Sequence, residues 1–177
     1  MITHREDKVE TDQHHMVPSR TLIELLKQVE SLRLRPYDDQ TDQEISAWVP
    51  GATVGYGHLI PQAEWRTFKG GISMVQANAL FERDLAPFVA GVRSRLHRAV
   101  LQQDFDALFM LAFNIGYNAF AGSRAQGLIN AGHAADSHEL EAAWKSWNRS
   151  QGRVMQGLVR RRQCEWDIFS KGVYARW

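Results

Sequence analysis

Apolar side chains recur at helical spacing near the start of the chain, where Leu22, Leu25, Leu26, Val29 and Leu32 fall on one stripe behind Thr21 and Glu24 at capping-box spacing. The pattern predicts a first helix that Pro36 stops, with Glu30 in its last turn or two, beside an apolar position. Over residues 37–60, "YDDQTDQEISAWVPGATVGYGHLI", the period changes. The β-formers Ile45, Trp48, Val49, Thr53, Val54 and Tyr56 mix with the turn residues Asp42, Pro50 and Gly51, which predicts a small antiparallel sheet of two or three strands. Gly55 and Gly57 in "TVGYGH" would weaken a strand unless the chain bends tightly there or a ligand approaches the backbone closely.

From Ser73 onward the pattern is helical almost to the end. Ser73 and Gln76 make a second capping box, and the stripe Phe81, Leu85, Phe88, Val89 and Val92 passes Pro87, where a kink or split is expected. "FDALFMLAFNIG" at 105–116 is apolar nearly all round, the mark of a central buried helix ended by Gly116. Leu140, Ala143, Trp144 and Trp147 form a stripe behind a Ser137 cap, and residues 153–169 read as a last helix with an arginine-rich outer face. Residues 1–18 are polar and aperiodic, so they are expected to be a disordered arm or linker. The expected architecture is α+β and mostly helical: residues 19–177 form one domain, with a small antiparallel sheet lobe at about 36–60 and a helical bundle lobe at about 73–170 flanking a groove.

Composition narrows the classes. The longest apolar run is far short of the ~18 residues of a membrane span, and the polar opening "MITHREDKVETDQHH" does not read as a signal peptide, so no stable membrane insertion is expected. The net charge of +1 hides an asymmetry: residues 1–88 carry 9 Lys and Arg against 13 Asp and Glu, while residues 89–177 carry 12 against 7. A basic half suits an anionic partner, but no nucleic-acid motif accompanies it, and nucleic acid is not expected. His14 and His15 lack further ligands at a spacing that closes a metal site, and the single Cys164 reads as a small buried hydrophobe. No metal or cofactor is expected.

The candidate chemistry lies in two carboxylates on either side of the break in "VESLRLRPYDD", Glu30 and Asp39. Glycosidic cleavage needs one carboxyl that stays protonated to donate to the leaving oxygen and one that stays ionised to activate water or attack the sugar. Glu30, beside a buried stripe, suits a raised pKa, and Asp39, in a polar turn, suits an ionised form. Taken singly, a Glu near a helix end and an Asp in a turn are commonplace, and spacing alone does not decide.

"ESLRLRPYDD" followed by "TVGYGH" resembles the active-site signature of the phage-type lysozymes, the muramidases of T-even and lambdoid endolysins. The similarity continues through "DALFMLAFNIG", "AAWKSW" and "GLVRRRQCEWDIF", covering roughly residues 20–170. The resemblance implies a lysozyme-like fold, with Glu30 as general acid, Asp39 as its carboxylate partner and Thr53 holding the attacking water. It implies a mainly structural His58, groove-wall contacts to sugar from Leu59, Phe113 and Asn114, and an Arg153 that pairs with the catalytic Glu. One departure is "QTDQEISAWVPGA", which lengthens the hairpin between Asp39 and Thr53. It brings in Trp48, either to stack on a sugar or to pack beneath the hairpin. Trp144, Trp147 and Trp166 read as core, and Arg160, Arg161 and Arg162 as a solvated face.

The expected function is therefore a monomeric N-acetylmuramidase that cleaves the β-1,4 bond of a peptidoglycan glycan strand, with chitin-like glycans served by the same carboxylate pair. A lytic transglycosylase, which needs the acid but no water-activating Asp, is the second enzyme reading, and an inactive glycan-binding or structural module is the third. Expected delivery is from the cytoplasm to the periplasm or wall, either by holin-mediated release or by a specialised secretion system. The second route implies a cognate immunity protein occluding the groove.

Overall fold

The computed structural model describes residues 10–177, which divide into two compact units. One is Glu24–Pro87, and the other joins the residues before it to Phe88–Trp177. The boundaries fall inside two helices, α1 (Arg20–Val29) and α3 (Met74–Arg95).

The Glu24–Pro87 unit is built on an antiparallel sheet in the order β1 (Arg33–Asp38), β2 (Ala52–Gly55), β3 (His58–Leu59). The first helix ends at Val29, well before Pro36, which lies inside β1. Leu32 and Leu34 alternate with Arg33 and Arg35, the period of a strand, and the residue before a proline avoids the helical region. The ladder shifts between Arg33 and Tyr37, where Pro36 has no N–H to donate. Ala52, Val54, Ile60, Phe68 and Leu80 form the core of this unit, and Ile45, Trp48, Val49, Trp65 and Ile72 pack against it. Trp65 and Phe68 bound the single-turn helix α2 (Trp65–Phe68). The expected capping box holds, with Ser73 N donating to Gln76 Oε1 (2.8 Å) and Gln76 N to Ser73 Oγ (3.2 Å). α3 then runs through Pro87 without splitting.

In the other unit, α4 (Gln102–Ile115) is the central buried helix, with Phe105 to Ala112 all enclosed. Gly116, at φ 86°, ends it and starts α5 (Tyr117–Ala121), followed by α6 (Arg124–Asn130) and α7 (His138–Lys145). Ser137 caps α7 as expected, accepting from Leu140 N. The last helix starts later than its apolar pattern implied. Gln151 and Gly152 both take positive φ, the signature of a two-residue hairpin turn, and they join β4 (Arg149–Ser150) to β5 (Arg153–Val154) ahead of α8 (Gln156–Lys171).

The cap of α1 is Ser19 rather than Thr21: Ser19 Oγ accepts from Leu22 N at 3.1 Å. Asp106, fully buried on α4, holds that cap by accepting from Ser19 N (2.9 Å) and Ser19 Oγ (2.5 Å). The same carboxylate accepts from Gln102 Nε2 (2.9 Å) and the Tyr174 hydroxyl (2.6 Å), which fastens the C-terminal segment to α4. Burial, reinforced by the Asp106 carboxylate, raises the pKa of the Tyr174 phenol. Of the expected arm, residues 1–9 lie outside the described residues. The remainder is anchored at two points: Thr11 bridges to Val100, and Met16 is buried with its carbonyl accepting from Arg93 Nε. Among the described residues no helix is long and apolar enough to cross a membrane.

Candidate functional site

Asp39 and Thr53 meet at one glycine. Immediately after β1, Asp39 N donates to the Gly51 carbonyl at 3.1 Å, and the Thr53 hydroxyl donates to the same oxygen at 2.9 Å. Gly51 sits at φ +94°, and a Cβ built on it would lie 2.3 Å from Asp39 Oδ1, so the carboxylate occupies the space a side chain would need. The β1–β2 register places Tyr37 opposite Thr53, and Thr53 is buried on β2. The lengthened hairpin therefore does not separate the two residues. Asp38 N bonds Gln43 O and Ile45 N bonds Pro36 O, folding the insertion back on β1.

Glu30 follows α1 directly, its N–H donating to Leu26 O at 2.8 Å, and it is half-buried. Its Oε2 lies 3.9 Å from the place a Cβ would take on Gly57. Gly55 (φ +71°) and Gly57 (φ +88°) make the tight bend joining β2 to β3, the first of the two explanations their positions allowed. Tyr56, between them, packs its ring 5.2 Å from that of Phe81 and receives Lys27 Nζ over its face at 5.9 Å. His58 closes the bend by pairing Nδ1 with Asp84 Oδ2 at 2.8 Å on α3, a structural contact. Leu59 pairs with Thr53 across the ladder, and its side chain is 60% exposed.

Tyr37, on β1 two residues before Asp39, was not among the candidates the sequence offered. The Arg33 guanidinium covers its ring at 4.7 Å and is held by Asp42 at 2.7 Å. Burial raises the phenol's pKa; Arg33 opposes this, and the charges of Asp42, Glu30 and Asp39 add to it. Both candidate carboxylates thus act electrostatically on one phenol, which remains a protonated donor at neutral pH.

The remaining candidates belong to the helical unit. Phe113 lies between Phe88, edge-on at 5.2 Å, and Phe109, stacked at 6.0 Å. The exposed Asn114 turns its Oδ1 to Arg162 Nη2 at 2.6 Å. Arg153 is exposed on β5. The arginine-rich face of the last helix needs correction. Arg160 is exposed, but Arg161 is 8% exposed and Arg162 is fully buried.

Both buried guanidinium groups reach the fully buried Glu165, Arg161 Nε at 3.2 Å and Arg162 Nη2 at 2.9 Å, and Trp144 Nε1 donates to its other oxygen at 3.0 Å. Desolvation lowers the pKa of Arg162, and Glu165 opposes that shift. The signal for this cluster was an acid three and four residues beyond two arginines, flanked by Cys164 and Trp166 on a buried stripe. Trp144 and Trp166 are core as expected, and Trp48 packs beneath the hairpin with Nε1 donating to Ile60 O at 2.9 Å. The buried Cys164 thiol donates to Ala175 O.

The chain is 36% identical over 155 residues to the endolysin of Bacillus phage PZA, covering 87% of this chain and 55% of that protein, so it spans about half the length of that relative. Among solved structures, the endolysin of Escherichia coli O157:H7 phage FAHEc1 superposes with a TM-score of 0.71 at 27% identity, covering 95% of this chain and all of that one. The muramidase domain of SpmX from Asticaccaulis excentricus gives a TM-score of 0.67 at 29% identity, over 88% and 98% of the two chains. Residues 27–165, which include Glu30, the Asp39–Gly51–Thr53 cluster and the Arg162–Glu165 pair, match the model of the phage lysozymes, and the chain belongs to that family.

Proposed function

We propose that this chain is an N-acetylmuramidase that hydrolyses the β-1,4 bond between N-acetylmuramic acid and N-acetylglucosamine in peptidoglycan. The observation that carries the reading is the joint anchoring of Asp39 and Thr53 on the Gly51 carbonyl. Because the Thr53 hydroxyl spends its proton on that carbonyl, its lone pairs remain to accept from a water. A water donating one proton to Thr53 Oγ1 and the other to Asp39 keeps a lone pair free for attack at the anomeric carbon. Asp39 takes the proton as general base while Glu30 protonates the leaving oxygen, and attack opposite the leaving group inverts the centre.

Leu59, Phe113, Asn114 and Arg153 are the substrate-binding residues of this reading. No metal or cofactor is required. The enzyme acts as a monomer on the cell wall, reached by holin-type release or by a secretion machine. In the second case an immunity protein covering Glu30 and Asp39 is the expected partner.

The test is product mass on purified peptidoglycan, wild type against Glu30→Gln. Loss of the proton donor should lower the rate by about 10²–10⁴-fold or more with the fold intact. Reducing-end muropeptides from the wild type alone support hydrolysis at this site. Products with 1,6-anhydro ends point to a transglycosylase, and equal inactivity of both proteins with wall binding retained points to a binding module.

A further inference from the structure

The contact between Arg162 and Asn114 is unusual in joining a fully buried cation to an exposed amide. Arg162 lies on α8 and Asn114 near the end of α4, 48 residues apart in the chain. A guanidinium has only donors, so it fixes which end of the amide faces it: Asn114 Oδ1 is taken, and Nδ2 with its two hydrogens is turned away from Arg162. The guanidinium is itself held. Arg162 Nη2 also bonds Glu165 Oε1 at 2.9 Å, Arg161 bonds the same oxygen at 3.2 Å, and Trp144 Nε1 holds Oε2 at 3.0 Å. All four residues of this cluster are buried, so the network is rigid compared with the surface amide it orients.

From this geometry we infer that Arg162 is a positioning residue for substrate recognition: it locks Asn114 so that the amide offers an N–H donor, selecting a neutral oxygen acceptor on the glycan such as an acetamido carbonyl or a sugar hydroxyl. The inference rests on the hydrolase reading, in which Asn114 touches the sugar chain. Both contacts are made by the one nitrogen Nη2, whose two hydrogens lie fixed in the guanidinium plane; a lysine at 162 keeps the charge but places a rotating ammonium there, so the amide is released to rotate. An aspartate at 114 still accepts from Arg162 but presents an acceptor where the donor was.

The experiment is a double-mutant cycle on kcat and KM with soluble glycan strands, using wild type, Arg162→Lys, Asn114→Ala and the double variant, with thermal melts as the folding control. Asn114→Asp is added as a variant that keeps the buried contact. Arg162→Lys should lower kcat/KM by roughly fivefold to tenfold in the wild-type background, and by less than about twofold once Asn114 is alanine. Asn114→Asp should lose roughly tenfold, mainly through KM, without loss of melting temperature. An equal cost of Arg162→Lys in both backgrounds, no cost in either, or an unimpaired Asn114→Asp overturns the positioning role while leaving the hydrolase reading intact. A wild type that releases no product overturns the hydrolase reading and the positioning role together.

Discussion

Replacing Gly51 by alanine is the most direct structural test of the carboxylate site, because its two consequences are separable. The first is backbone strain: Gly51 sits at φ +94°, and placing a Cβ in that region costs about 1–2 kcal/mol. For a chain of this size each kcal/mol lowers the melting temperature by about 2–4 °C, so a fall of about 2–8 °C is expected. The second is displacement. The new Cβ would lie 2.3 Å from Asp39 Oδ1, and ordinary contact begins near ~3.5 Å, so the carboxylate must move by about 1 Å. A misplacement of ~1 Å in a reacting group costs on the order of 10²-fold in rate.

Gly57→Ala is the matched control. Gly57 sits at φ +88°, so it suffers similar strain, but its Cβ would lie 3.9 Å from Glu30 Oε2, which is ordinary contact. Both variants should melt several degrees lower, whereas kcat/KM for muropeptide release should collapse only in Gly51→Ala. If the two variants lose activity equally, the Asp39 carboxylate is not where catalysis needs it, and the assignment of the base fails.

Further predictions concern the core. Burial pushes the Cys164 thiol up to about 11, so the folded chain keeps this proton in a range where an unfolded thiol has lost it. The contribution to stability is complete below the unfolded pKa of about 8.5 and is lost as pH rises toward 11. The urea-unfolding difference between wild type and Cys164→Ala should therefore shrink from pH 8 to pH 11, and a constant difference refutes this. Trp48→Phe removes the donor to the Ile60 carbonyl and should cost about 1 kcal/mol, near 2–4 °C in melting temperature, with activity retained. A large activity loss at unchanged stability would instead make Trp48 a sugar platform.

Local signals carried much of this protein. The apolar stripe of α1, the Ser73–Gln76 box, the enclosed α4 and the Gly116 stop were legible because each depends on residues within one or two turns of one another. The Glu30, Asp39 and Thr53 candidates were legible for a different reason, through the resemblance of two short motifs to a known family. Pro36 misled because a proline signals the end of a helix and the edge of a strand equally well, and the two-residue alternation of Leu32 to Arg35 decided for the strand. What only the tertiary structure decided were the partners distant in sequence. The return of β2 onto β1 places Gly51 under Asp39 despite the lengthened hairpin, and α4 packs on α8 so that Arg162 meets Asn114. Arginine is expected on a solvated face because an unpaired buried charge is too costly. Arg161 and Arg162 are buried because Glu165, itself held by Trp144, meets both and Asn114 meets Arg162, a set of contacts that exists only once the helices are packed.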